Sequence, residues 1–151
     1  MSETFHQVVG RKVVSRSSAQ ELGTVSDFLY DGARRSIAAI VLGHGRKAQI
    51  VDWKNVTGFG GDAVMVSDDA ALREPADERE SQACSGKLGL LGRRALTETG
   101  NELGTVDDVV FDPGDGRVLA LVVAGKERPA EGLLGAGSYA AVMTADQDPS
   151  T

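Results

Sequence analysis

Two aspartates, Asp27 and Asp108, recur at equivalent places in the chain and are its best candidates for paired-carboxylate chemistry. Asp107 precedes the second, so a paired-carboxylate site would form if the two modules faced each other. Catalysis by such a pair needs a raised pKa or a bound metal. Both aspartates stand in predicted strands close to turns, where carboxylates commonly accept turn hydrogen bonds or protect a strand edge. We therefore favour a structural role over a catalytic pair.

Metal, thiol and disulfide chemistry have few candidate residues in this chain. It contains two histidines, His6 and His44, and one cysteine, Cys84. A zinc site usually takes about four Cys, His or carboxylate ligands at recurrent spacings, and the sequence shows no such spacing. One cysteine cannot form an internal disulfide, and nothing near it in the sequence would lower its pKa. The sequence predicts no metal, no cofactor and no catalytic residue, with Cys84 an incidental exposed thiol.

Two glycine-rich segments, 58–61 and 132–138, raise the question of phosphate binding. Neither contains the Gly-Lys-Ser/Thr of a P-loop or the Gly-x-Gly-x-x-Gly order of a dinucleotide site. Glycine also supplies the backbone conformations that tight turns between strands require. We therefore interpret both segments as turns.

The candidate partner-binding residues are Trp53, Arg34, Arg35 and Tyr139. Large aromatic side chains dominate the energetics of protein interfaces, although packing in the core or between modules is the alternative for Trp53 and Tyr139. The arginines form one of two short basic clusters. A pI near 4.9 and the lack of interleaved aromatics argue against nucleic acid as a partner.

An internal repeat organises the elements that carry these residues. Glu-Leu-Gly-Thr-Val at 21–25 recurs at 102–106, and nine of the 22 positions in 21–42 are identical at an offset of 81. Gly10-Arg11 recurs at Gly92-Arg93 at an offset of 82, which places one extra residue in the first copy near 16–20. Such indels belong in loops, because packed strands do not tolerate them.

Each copy is predicted to form short strands joined by tight turns. A continuous apolar run at 37–42 has the length of a buried strand, and Asp, Gly and Pro at 31–35 and 112–116 indicate hairpins. We predict an all-β protein of two small β-barrels packed together, because units of this size bury little core alone.

The charge pattern divides the chain into four parts. We predict a first module over 1–68, a charged linker over 69–88, a second module over 89–145 and a disordered acidic tail over 146–151. The chain has no run of apolar residues long enough to cross a membrane and no secretory leader, so we expect a cytoplasmic protein without a membrane partner.

The motifs Gly10–Val14, Leu22–Phe28 and Ile37–Val41 resemble the PRC-barrel family, and the first and second recur in the other copy. The first copy also resembles the family at Val51–Val56, where we place Leu133–Tyr139 in the second copy. That family includes the cytoplasmic domain of the photosynthetic reaction-centre H subunit and the C-terminal barrel of a ribosome maturation factor. The resemblance implies β-barrels that bind proteins without catalysis.

Two functions follow from that resemblance. The first is a non-enzymatic scaffold or adaptor that binds a protein partner, with a homodimer left open. The alternative is a ribosome-associated or RNA-processing factor that binds a ribosomal protein.

Overall fold

The computed structural model describes residues 2–43, 47–84, 90–137 and 139–144. His44, one of the two histidines, and the predicted acidic tail, 146–151, lie outside the described residues. Within the described residues, strands dominate and helices are short, so the all-β prediction is confirmed.

The first copy forms a seven-stranded sheet with the order β6-β7-β2-β3-β4-β5-β8. The elements of the chain up to the second copy are β1 (Glu3–Thr4), α1 (Phe5–Val8), β2 (Lys12–Ser15), β3 (Glu21–Asp31), β4 (Ser36–Leu42), β5 (Gln49–Asp52), β6 (Val56–Phe59), β7 (Ala63–Val66), β8 (Leu72–Arg73) and α2 (Glu78–Cys84). Short 3-10 turns occupy Trp53–Asn55 and Asp69–Ala71.

The second copy forms an equivalent sheet with the order β12-β11-β10-β9-β14-β13. Its strands are β9 (Arg94–Thr97), β10 (Glu102–Phe111), β11 (Val118–Val123), β12 (Lys126–Pro129), β13 (Leu133–Ala136) and β14 (Ala141–Met143), with a 3-10 turn at Ala130–Gly132. Strand β1, from the start of the chain, joins this second sheet by pairing with β10.

The repeated Leu-Gly-Thr-Val-x-Asp motif bends the longest strand of each sheet. In β3 the register shifts at Gly23, where φ is +152°, and again before Asp27. In β10 it shifts at Gly104 and Asp108. Bulges of this kind bend a strand and redirect its pairing. The first half of β3 therefore pairs with β2 and the second half with β4, and β10 divides in the same way between β9 and β11.

The lengths of the loops account for the changing offset of the repeat. The loop between β2 and β3 covers 16–20 and its counterpart covers 98–101, which confirms the predicted extra residue. Six residues, 43–48, separate β4 from β5, whereas a turn of two residues, 124–125, joins the corresponding strands of the second copy.

That shorter hairpin corrects one part of the sequence alignment. Strand β12 is the counterpart of β5, and the turn at Ala130–Gly132 is the counterpart of Trp53–Asn55. The prediction that Leu133–Tyr139 replaces Val51–Val56 is therefore wrong. Ala130 occupies the place of Trp53. The equivalence of the two turns is not visible in the sequence, because alanine and tryptophan differ in size and chemistry.

The predicted linker also contains ordered structure. Leu72 pairs with Val51 and Arg73 with Ile50, so β8 extends the first sheet beyond residue 68. Helix α2 follows within the segment 69–88. The strand could not be predicted from the sequence, because β8 is only two residues long and too short to show an alternation of apolar and polar residues.

The two copies share one hydrophobic core and meet about a pseudo-twofold axis. Ser36 bridges Arg117, its own equivalent at an offset of 81. On either side, the Ile37 amide donates to the Gly116 carbonyl and the Val118 amide donates to the Arg35 carbonyl, both at 2.8 Å. Reciprocal contacts of this type define an isologous interface. The core runs from Phe5 through both sheets without a break, so the modules pack together.

Candidate functional site

Trp53 lies in an aromatic cluster between the two modules. Its indole stacks on Phe59 at a centroid distance of 5.2 Å and meets the edge of Phe111 at 6.5 Å. It also covers Gly116, where an added Cβ would lie 2.7 Å from the indole. Trp53 is half-buried and contacts Phe59 of its own module as well as Phe111 and Gly116 of the second module. The structure thus places this candidate in inter-module packing.

The N-terminal segment crosses from the first copy to the second. Glu3 and Thr4 pair with Phe111 and Val110 of β10, and the ring of Phe5 is fully buried between the two sheets. Arg11 fixes this segment, because its side chain is 10% exposed and contacts Glu3 at 3.1 Å. The same guanidinium donates to the Gly60 carbonyl at 2.9 Å, just beyond β6. The segment therefore fills the space between β10 and β6.

Asp27 and Asp108 hold the bulges of their strands. Asp27 accepts the backbone N–H of Phe28 at 2.7 Å, and Asp108 accepts those of Val109 and His6, both at 2.8 Å. Burial raises the pKa of Asp27, and the hydrogen bond from Phe28 partly opposes that shift. Each carboxylate accepts the backbone N–H of the residue that follows it, directly after the shift in register, which agrees with the structural interpretation of these residues.

Arg34 and Arg35 occupy the turn between β3 and β4. The side chain of Arg34 is 84% exposed and approaches Asp31 at 3.9 Å. Arg35 adopts a positive φ of 51°, and its carbonyl takes part in the pseudo-twofold bridge. Arg34 is thus available to solvent, whereas the backbone of Arg35 contributes to the pairing of the modules.

Tyr139 and Leu134 project from the hairpin of β13 and β14. Tyr139 is 71% exposed and Leu134 is 55% exposed. The tyrosine hydroxyl accepts a hydrogen bond from Arg94 at 2.9 Å, and the guanidinium carbon lies 5.4 Å from the ring centroid. Tyr139 was predicted from the sequence. Leu134 was missed, because its glycine-rich surroundings indicated only a turn.

Arg73 ties helix α2 to the first sheet through two carboxylates, a contact that we call the arginine clamp. Its guanidinium contacts Asp52 at 2.9 Å and Glu80 at 2.8 Å. These partners raise the pKa of Arg73 and so keep it charged. The clamp was not predicted from the sequence, since Asp52 ends β5 whereas Arg73 and Glu80 lie in the segment 69–88 that was interpreted as a linker.

Cys84 is buried against the outer face of the first sheet, so the predicted exposed thiol is wrong. Its side chain is 8% exposed and packs with Ala39, Val41 and Ile50. Burial raises the pKa of the thiol, and the charge of Glu80 adds to that effect. Both effects favour the unreactive thiol over the thiolate.

A groove of about 610 Å³ runs between the two modules along β3 and β13. Its walls are Phe28–Ala33 on one side and Leu133–Ala136 on the other. Leu90 lies in the groove, and it is bordered by Glu80 of α2 and by Asp77, the residue before that helix. We call it the β3–β13 groove. It was missed because the correct place of β13 in the repeat was not recognised.

Within the ranges that the structure describes, no group of three or more His, Cys, Asp or Glu side chains could hold a metal ion. None of the described helices has the length and apolar character needed to span a membrane.

The family model described as the PRC-barrel domain matches residues 2–73 and 90–139. The chain belongs to the PRC-barrel family. The matched ranges contain β1 to β8 and β9 to β13, so the two copies are tandem PRC-barrel repeats. No curated protein matches the chain.

Proposed function

We propose that this tandem PRC-barrel chain is a non-enzymatic protein-interaction module. The observation that carries the proposal is the apolar surface on the hairpin of β13 and β14, where Leu134 and Tyr139 are more than half exposed. Tyrosine is enriched among the residues that dominate interface energetics, and the exposed leucine of the same hairpin adds apolar area that a partner can bury.

The surroundings of Tyr139 support this role. Arg94 contacts both the hydroxyl and the face of the ring, so the side chain is held in one orientation before a partner arrives. A pre-oriented aromatic loses less conformational entropy on binding. Arg94 also contacts Glu102 at 3.0 Å, which fixes its own position on the sheet. Arg94 therefore links Tyr139 to Glu102 of β10.

The test is affinity purification of the tagged chain from its native cells, with parallel samples treated with RNase. The critical variant is Leu134→Asp. Its matched control is Thr57→Asp, because Thr57 is exposed at the equivalent position of β6 and faces solvent without an apolar side chain. We expect a discrete protein partner that survives RNase, is lost with Leu134→Asp and is kept with Thr57→Asp.

Other outcomes would redirect or reject the proposal. Ribosomal proteins that disappear on RNase treatment would favour the ribosome-associated alternative. A partner retained equally by both variants would show that the hairpin is not the binding surface. We also propose that the module acts in the cytoplasm, where a lone cysteine remains reduced.

A further inference from the structure

Helix α2 covers a small apolar cluster that is separate from the shared core. The cluster lies on the outer face of the first sheet, beneath Cys84 at the end of the helix. Its other buried members are Ala39, Val41, Ala48 and Ile50. None of these four residues belongs to the continuous core that holds the two modules together. Loss of the contacts in this cluster would therefore leave the shared core intact.

The contacts that hold α2 on the sheet are few. The helix has seven residues, and helices of that length are not stable by themselves in water. Among the side chains of α2 that the structure describes, Cys84 alone is buried. A second attachment is the arginine clamp, in which Arg73 contacts Glu80 at 2.8 Å and Asp52 at 2.9 Å. Partly exposed ion pairs contribute little to stability, so the helix is held by marginal contacts.

The second copy shows that the sheet does not need this cover in order to form. Strand β12 is the counterpart of β5, and its register places Glu127 where β5 has Ile50 and Pro129 where β5 has Asp52. The equivalent face therefore lacks an apolar residue of the cluster and the carboxylate of the clamp. The second sheet nevertheless has the corresponding strand order. The apolar face, the clamp and the helix are thus an addition to the first copy.

We propose that α2 is a latch, which opens by local unfolding and uncovers the apolar outer face of β4 and β5 while both sheets stay folded. Opening breaks the arginine clamp and lifts Cys84 out of its cluster. The helix lies between Leu72, which packs against the shared core, and Leu90, which is part of it, so opening moves a short segment tethered at both ends. The uncovered face is a second apolar surface, distinct from Leu134 and Tyr139.

Cys84 reports the opening, because it is the one cysteine of the chain and is buried beneath the helix. The experiment measures the rate at which fluorescein maleimide labels the full chain, relative to the chain unfolded in urea. Arg73→Met loosens the latch, and Arg34→Met is the matched control at an exposed arginine.

A further variant distinguishes opening of the latch from global unfolding. Gly104→Ala strains the second module, because φ is +135° there and an added Cβ would lie 3.0 Å from Ala124. Alanine at such a backbone conformation lowers the stability of the folded state. This variant therefore favours global unfolding and leaves the contacts of α2 unchanged.

We expect the native chain to react about tenfold to a thousandfold more slowly than the unfolded chain, whereas reaction through global unfolding alone would be slowed more than about a thousandfold. Low concentrations of urea should hardly change the rate, since local opening exposes little surface. Arg73→Met should speed the reaction about threefold to tenfold, and Arg34→Met less than about twofold. Gly104→Ala should also change the rate less than about twofold, because local opening does not depend on global stability.

The labelled protein represents the open state, because a bulky label keeps Cys84 from returning to its cluster. It should retain the circular dichroism of the folded chain and bind an apolar dye that the unlabelled chain does not bind. The latch would be rejected by a native rate equal to that of the unfolded chain, by equal rates for Arg73→Met and Arg34→Met, by acceleration in Gly104→Ala that matches its loss of global stability, or by unfolding of the labelled chain. The latch does not rest on the hairpin surface, so each of these results would leave the proposed interaction function standing.

Discussion

Replacement of Gly116 by alanine tests whether the aromatic contact between the modules stabilises the fold. Gly116 has a φ of +80°, and a Cβ there would lie 2.7 Å from the indole of Trp53. The positive φ costs an alanine about 1–2 kcal/mol, and forcing the indole aside adds about 1–3 kcal/mol of overpacking. We therefore expect Gly116→Ala to lower the free energy of unfolding by roughly 2–5 kcal/mol.

Gly125 supplies a matched control for the backbone contribution. It also has a φ of +80°, but nothing lies within 4 Å of the position that its Cβ would take. Gly125→Ala should therefore cost only the backbone contribution, and the difference between the two variants measures the contact with Trp53. We expect that difference to be about 1–3 kcal/mol.

The assay is urea denaturation followed by far-UV circular dichroism, which does not depend on tryptophan fluorescence. In a Trp53→Ala background the indole is gone, so Gly116→Ala should cost no more than Gly125→Ala. Two results would refute the reasoning: equal destabilisation by both glycine variants in the native background, or an unchanged Gly116→Ala effect after Trp53 is removed. Either would mean that the modules do not meet at this contact.

Three further predictions concern the shared core, the arginine clamp and Asp27. Residues 1–73 expressed alone should not give a monomeric, cooperatively folded domain by circular dichroism and sedimentation, because they lack half of a continuous core; a stable monomer would contradict this. Arg73→Met should cost about 1 kcal/mol and speed hydrogen exchange in α2, whereas Arg34→Met should change stability by less than about 0.5 kcal/mol. Because the folded state raises the pKa of Asp27, its stabilising effect is present below its ordinary value of 3.8 and is lost as the pH rises through the raised pKa. Asp27→Asn should therefore raise the free energy of unfolding more at pH 7 than at pH 3.5, and a greater gain at pH 3.5 would contradict the burial argument.

Much of the fold could be predicted because the repeat is carried by residues with strict backbone roles. Gly23 and Gly104 have a positive φ at the first bulge of their strands. Asp27 and Asp108 accept backbone hydrogen bonds beside the second bulge of the same strands. These residue types are retained in both copies, so their spacing reveals the bent strand that organises each sheet.

The second half of each repeat was harder to predict because packing, and not backbone geometry, determines its residues. Trp53 and Ala130 occupy equivalent turns, and their sizes differ because Trp53 covers a glycine of the other module. The two-residue turn at 124–125 is also shorter than its counterpart at 43–48, so the residues after it no longer match the first copy at an offset of 81. The candidate surface shares this difficulty, since Leu134 gains its significance from the edge position of β13, which depends on contacts distant in sequence.

The two copies are paired as the subunits of a homodimer would be, but they belong to one polypeptide. The N-terminal segment crosses between them, and Ser36 and Arg117 form a reciprocal bridge. The two halves cannot separate on dilution, because each acts on the other at the effective concentration set by a short connection. In a dimer of identical chains, each substitution would appear on both sides of the axis. Here one side can change alone, so Trp53 covers a glycine of the other module while its counterpart is the small Ala130.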